Sequence, residues 1–265
     1  MRPLSLAALT VLELSPIEMV RCAAACGYSH VGLRLVAATP NDPRWDSVGD
    51  TPLVRELDAA LRDSGVQLLD IEILRLEPET RVADFMPVLE TGARLGARHV
   101  LVAGNDPDES RTVARLAALA DLAAPLRLSP CLEPMPWTHV RDFTQAWRVV
   151  QATGSDNVGV LVDAIHFDRG GNLPQQLRGV PPSRLPYMQL CDAPATRPDT
   201  VEGLLQQARL ARLPPGEGGL DLVGLLRAMP PDIPLSLEVP LADTSTAQQR
   251  AQRVYDATRR WLHLC

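Results

Sequence analysis

Four short apolar runs in this 265-residue chain each end in a residue able to hold a metal ion. Residues 157–168 (NVGVLVDAIHFD) run through four aliphatic positions into Asp163, with His166 three places on. Residues 126–133 (LRLSPCLE) end in Glu133, residues 185–189 (LPYMQ) in Gln189, and residues 234–238 (PLSLE) in Glu238. A carboxylate at the end of a buried run is costly unless something satisfies it. Three carboxylates and an amide oxygen form a hard, oxygen-only set, which favours one Mg²⁺, Mn²⁺ or Co²⁺ over a zinc site of sulfur and imidazole. Three negative charges against a divalent ion leave the centre close to one net negative charge. Such an ion grips a carbonyl and a neighbouring hydroxyl oxygen and lowers the cost of an enediolate.

These residues must be brought together by the elements that carry them. Apolar runs this short, without a helical period, read as strands buried on both faces. Four more candidates precede them: residues 3–9, 30–36 (HVGLRLV), 67–74 (QLLDIEIL) and 98–103 (RHVLVA). Helical segments alternate with them. Ser15-Pro16 and Thr51-Pro52 supply a capping hydroxyl followed by proline at the first helical position. Gly27 and Gly96 stand where helices should stop. Eight strands with intervening helices predict an α/β protein, a (β/α)8 TIM barrel, as a single domain over residues 1–265; about 250 residues suffice for one. The stretch from Asp168 to Ser183 is interrupted by glycine and proline and gives the least regular helix. In such a barrel the C-terminal strand ends meet at one mouth, so Glu133, Asp163, Gln189 and Glu238 fall together on successive strands.

The order and types of these residues resemble the xylose isomerase-like TIM barrels, the sugar phosphate isomerase/epimerase superfamily. The resemblance runs over nearly the whole chain. It is carried by CLEP with Glu133, VDAIHF with Asp163 and His166, QLCDAP with Gln189 and Asp192, LPPGEGGLDL at 213–222, and SLEVP with Glu238. It implies that Glu133, Asp163, Gln189 and Glu238 hold one divalent metal, and that His166 contacts substrate or handles a proton. Ketose 3-epimerases of the family usually have histidine where Gln189 stands; its hydroxypyruvate isomerases and dehydroshikimate dehydratases have glutamine. Those dehydratases tend to have a catalytic histidine two residues after the first metal glutamate, where this chain has Met135, with His139 nearby. The expected activity is a cofactor-free, metal-dependent isomerase or epimerase of a small sugar or hydroxy-keto acid. Glu133 and Glu238 would exchange the proton alpha to a carbonyl. The alternative is a dehydroshikimate dehydratase-like lyase on the same site.

Other polar residues have two readings each. Arg34 at the end of the second strand could receive a substrate carboxylate or phosphate, or pair with Glu72 on the next strand. Arg197 lies near where family members keep a substrate-binding arginine, at an offset that does not match cleanly. Asp192 is a partner of the site or a cap of the next helix. Trp137 and Trp45 wall the pocket or simply pack.

Composition narrows the partners. A net charge of −6 and a pI of about 5.4 disfavour nucleic acid and anionic membranes. A nuclease of the three-zinc kind needs many histidines, whereas of His30, His99, His139, His166 and His263 only His166 lies at such a strand end. No apolar run approaches a membrane helix, and Glu13 and Glu18 interrupt the N-terminal apolar stretch, which reads as the first strand rather than a leader. Five cysteines without CxxC spacing suit a reduced, cytoplasmic protein. By resemblance, a homo-oligomer is in keeping with the family.

Overall fold

Nine parallel strand segments form one sheet wrapped into a barrel in the computed structural model, which describes residues 2–265. They are β1 (Leu4–Leu6), β2 (His30–Arg34), β3 (Gln67–Leu76), β4 (His99–Gly104), β5 (Ser129–Glu133), β6 (Gly159–Val160), β7 (Val162–Asp163), β8 (Met188–Leu190) and β9 (Leu235–Leu237). β1 pairs with both β2 and β9, so the first and last strands meet. β6 pairs only with β5 and β7 only with β8, because the expected sixth strand is broken at Leu161. Leu161 still donates its N–H to Leu132 O at 3.0 Å, which carries the ladder across the break. The (β/α)8 TIM barrel expected from the strand pattern is therefore present, its sixth strand in two halves.

The helices are α1 (Pro16–Ala25), α2 (Pro52–Ser64), α3 (Met86–Arg94), α4 (Glu109–Ala123), α5 (Phe143–Ala152), α6 (Ala164–Arg169), α7 (Val201–Leu210), α8 (Leu222–Ala228) and α9 (Ala247–Leu264). Several begin as the sequence predicts. Ser15 accepts from Glu18 N while the Glu18 carboxylate accepts from Ser15 N, satisfying two N-terminal donors at once. Thr51 caps α2, with Pro52 at its first position. Two differences matter for the site. The strand expected over 126–133 begins only at Ser129, since Leu126 closes a 3-10 turn and Arg127 is left-handed (φ 58°). The irregular stretch from Asp168 to Ser183 takes in only the end of the short α6, one 3-10 turn and the start of another, not one full helix.

The main core lies between strands and helices, with residues such as Leu6, Leu33, Ile71, Leu132 and Leu237 almost fully buried. A smaller cluster holds Leu69, Leu101, Cys131, Leu161 and Tyr187. Cys131, Leu161 and Tyr187 each stand two residues before Glu133, Asp163 and Gln189. Side chains alternate across a strand, so this cluster shares their inward face and forms a dry floor beneath them. All five cysteines are free thiols, four of them buried. Among the described residues no helix is long and apolar enough to cross a membrane.

Candidate active site

The strand ends carry their polar residues to one buried place. Glu133 closes β5, Asp163 closes β7, Gln189 lies in β8 directly opposite Asp163, and Glu238 follows β9. All four are at most 5% exposed. Glu133 and Glu238 border a cavity of about 230 Å³ whose walls include Arg34, Arg75, Trp137, His166, Arg209 and Arg212.

Asp163 has two jobs. As the residue before α6, its Oδ1 accepts the N–H groups of Ile165 (2.9 Å) and His166 (3.1 Å). Its Oδ2 accepts from Arg212 Nη1 at 2.6 Å. The same guanidinium reaches Glu238 Oε2 through Nη2 at 2.6 Å. Gln189 Nε2 donates to Glu238 Oε1 at 3.0 Å. Glu133 Oε1 and Gln189 Oε1 are buried without a hydrogen-bond partner. His166 Nε2 is 3.9 Å from Glu133 Oε1, and the His166 and Trp137 rings meet in a T-shaped contact at a centroid distance of 4.9 Å.

Electrostatics follow from burial and this pairing. Burial, reinforced by the charges of Glu238 and Asp163, pushes the Glu133 carboxyl well above its ordinary range. Burial also raises Glu238 to about 8, against the pull of Arg212. Burial would raise Asp163 as well, but Arg212, His166 and the backbone N–H hold it low. Burial lowers His166 to about 4, so its ring is neutral at physiological pH.

The residues present fit a divalent cation. With all three carboxylates ionised, the one guanidinium between them leaves two negative charges uncompensated, a state that buried groups sustain only with a counter-charge and otherwise avoid by taking up protons. Two orphaned oxygens, on Glu133 and Gln189, are acceptors with nothing to accept from. Ligand atoms of Glu133, Asp163 and His166 already lie within 4.8 Å of one another. Arg212 alters the charge count expected from the sequence, bringing a divalent centre close to neutral.

Arg212, like Arg75 and Arg209 on the cavity wall, is a site residue that the sequence pattern does not mark. It stands four residues before Gly216, at the front of LPPGEGG, and that adjacency is the only available signal. Asp192 fixes this loop: Oδ2 accepts from Gly216 N (3.0 Å) and Gly218 N (2.9 Å), and Oδ1 from Leu220 N (3.1 Å). It is thus a loop clamp that places Arg212. Arg34 takes both of its readings in part: it lines the cavity, and it pairs with Glu72 (2.9 Å) and Asp42 (3.0 Å). Trp137 lines the cavity, whereas Trp45 is 42% exposed and lies outside it. Arg197 is exposed and does not border the cavity; the loop after β8 carries it outward, and the arginines that do converge are Arg34, Arg75, Arg209 and Arg212. Met135 is buried beside the site, and His139 is exposed outside it.

Comparison with known proteins agrees with this architecture. Residues 20–264 match the xylose isomerase-like TIM barrel family, and the chain belongs to it. It is 30% identical over 179 residues to a 3-dehydroshikimate dehydratase of Pseudomonas putida, covering 64% of this chain and 27% of that protein. It is 27% identical over 158 residues to an inosose isomerase of Bacillus velezensis, covering 56% and 54%. The chain thus spans about a quarter to a half of these relatives. Among solved structures, the IolI protein with a bound zinc atom superimposes with a TM-score of 0.80 at 21% identity, covering 100% of this chain and 99% of that one.

Proposed function

We propose that the chain is a divalent-metal-dependent isomerase or epimerase of a small sugar or hydroxy-keto acid, working without an organic cofactor in the cytoplasm. The observation that carries this is a pair of buried glutamates, Glu133 and Glu238, bordering one cavity from strands on different sides of the Asp163–Gln189 pair. Glu133, Asp163, Gln189 and Glu238 are the residues that would hold the ion, with Mn²⁺, Mg²⁺ or Co²⁺ the expected choices. When bound, a divalent ion supplies Lewis-acid polarisation of a carbonyl.

The rest falls to the chain's own residues. Glu133 has an oxygen with no hydrogen-bond partner beside the cavity, suited to take the proton alpha to the carbonyl. Glu238, fixed by Arg212 and Gln189, faces the same space and returns a proton on the other side or at the adjacent carbon. His166, neutral and held against Trp137, contacts the substrate's polar groups. Met135, Leu101 and Ile73 keep that side dry.

Glu133→Gln and Glu238→Gln retain an oxygen and lose the base. Each is expected to lower turnover at least about 10²-fold, the lower range for a positioned general base. The combined loss should fall short of the product, because either change already stops the cycle. Solvent deuterium should appear in the product at the carbon that changes configuration, or beside the carbonyl after an aldose–ketose exchange. Near-wild-type turnover in either variant would make that glutamate a ligand only.

A second reading, a lyase that follows the same proton abstraction with loss of water, is favoured by the similarity to the Pseudomonas putida dehydratase. Its product from 3-dehydroshikimate would be one water lighter. Met135 in place of histidine and the outward position of His139 weigh on the isomerase side.

A further inference from the structure

Four arginines border the cavity, and they divide into two kinds. Arg34 and Arg212 each bridge two carboxylates. Arg75 and Arg209 have none: among the described residues, the one side-chain partner of Arg75 is the amide oxygen of Asn105 at 3.3 Å, and Arg209 forms no ion pair. They come from different elements, Arg75 from the C-terminal end of β3 and Arg209 from the last turn of α7. Both are half-buried. Their placement is enforced. Ala208, next to Arg209, is buried, and its carbonyl accepts from Arg212 Nε at 2.6 Å. Gln207 Oε1 accepts from the buried Arg169 at 2.9 Å, and Arg169 Nη2 also donates to Pro194 O at 2.6 Å. The end of α7 is therefore pinned to α6 and to the loop after β8, with Arg209 turned to the cavity. Two like charges held near each other in partial burial repel, and a bound anion is what relieves them.

We propose that Arg75 and Arg209 form an anion subsite at the rim of the cavity, holding a carboxylate or phosphate group of the substrate. Burial, and next the charge of Arg209, lower the Arg75 pKa, opposed by Glu77 and Glu133 and reinforced by Arg34; this is the signature of a cation short of counter-charge. An acid or phosphate ester entering with its carbonyl toward Glu133 and Glu238 would place its anionic end between the two guanidinium groups. The substrate is then an acidic hydroxy-keto compound or a sugar phosphate rather than a neutral sugar. This rests on the cavity being the substrate site of the proposed enzyme, but its test needs no turnover.

Inorganic phosphate and acetate are titrated separately into the full chain by calorimetry at constant ionic strength. Saturable binding of at least one is expected, weakened about 10-fold or more in Arg75→Gln and in Arg209→Gln, the scale of losing charge-assisted hydrogen bonds. Arg197→Gln, outside the cavity, should bind as the wild type does, and Arg75→Lys should recover part of the loss. Tighter phosphate binding assigns a phosphate ester; tighter acetate binding assigns a carboxylic acid. Binding that persists in a protein inactive as an isomerase keeps the subsite and removes the isomerase reading. No saturable binding of either anion, or unchanged binding in both glutamine variants, overturns the subsite.

Discussion

Arg212 sits with its side chain 1% exposed between Asp163 and Glu238, and that position decides the charge of the whole site. Removing one partner of a buried ionic cluster costs far more than the cluster contributes, because the remaining charges stay buried. Arg212→Ala is expected to lose about 3–5 kcal/mol in urea unfolding without divalent ions, and Mn²⁺ should restore more stability to this variant than to the wild type. A loss under about 1 kcal/mol, the scale of an exposed pair, would show that the carboxylates do not depend on it. At this scale the strand ends were legible, since Glu133, Asp163, Gln189 and Glu238 each close an apolar run. Arg75, Arg209 and Arg212 were not. Arg209 and Arg212 sit in a stretch with several arginines and glutamines, and Arg75 at the end of an apolar strand, and in neither place does the local pattern separate an inward guanidinium from an outward one. Arg197 shows the same ambiguity from the other side: a plausible arginine in a plausible loop, carried to the surface.

The elements are held in register by contacts that can be tested one at a time. At the junction of β4 and α4, Asp106 accepts from Arg111 Nε and Nη2 (2.5 and 2.6 Å), from Arg115 Nη1 (2.5 Å) and from Asp108 N (2.9 Å). The Arg111 hydrogen bonds, chiefly, lower its pKa from 3.8 to about 2. A carboxyl depressed on folding contributes stability that is complete above its unfolded value and is lost as pH falls through its folded one. The stability gap between the wild type and Asp106→Asn should therefore be constant well above pH 3.8 and shrink between there and about 2. A gap that stays flat across that range in urea titrations would remove Asp106 from the account. The broken sixth strand gives a second test. A Cβ on Gly159 would lie 3.0 Å from the carbonyl oxygen of Arg184 and 2.9 Å from the ring of Pro186, neither of which can rotate away. Gly159→Ala should cost about 1–3 kcal/mol in thermal or chemical unfolding, and a neutral result would mean that this part of the barrel yields. Alternation and capping residues made most strands and helices legible. The break at Leu161, the left-handed Arg127 and the helix over 201–210 escaped, because backbone irregularity and tertiary support are not written in hydrophobic period.

For the whole molecule, the barrel converts four distant sequence positions into one buried cluster with a dry floor and a rim of arginines. Without a cation, Glu133 and Glu238 relieve the excess charge only by holding protons, as their raised pKa values show; a divalent ion would let all three carboxylates ionise, so the proposed chemistry stands on metal binding. Glu133 is the right residue to probe. Its free oxygen means that its removal disturbs no hydrogen bond of the fold, unlike Asp163, which also caps α6 and pairs with Arg212. The deciding measurement is a calorimetric titration of Mn²⁺ into the wild type and Glu133→Ala. About one ion per chain is expected in the wild type and at least about 10²-fold weaker binding in the variant, consistent with losing an anionic ligand in a buried centre. Equal affinity in the two proteins, or no saturable binding in the wild type, would contradict this.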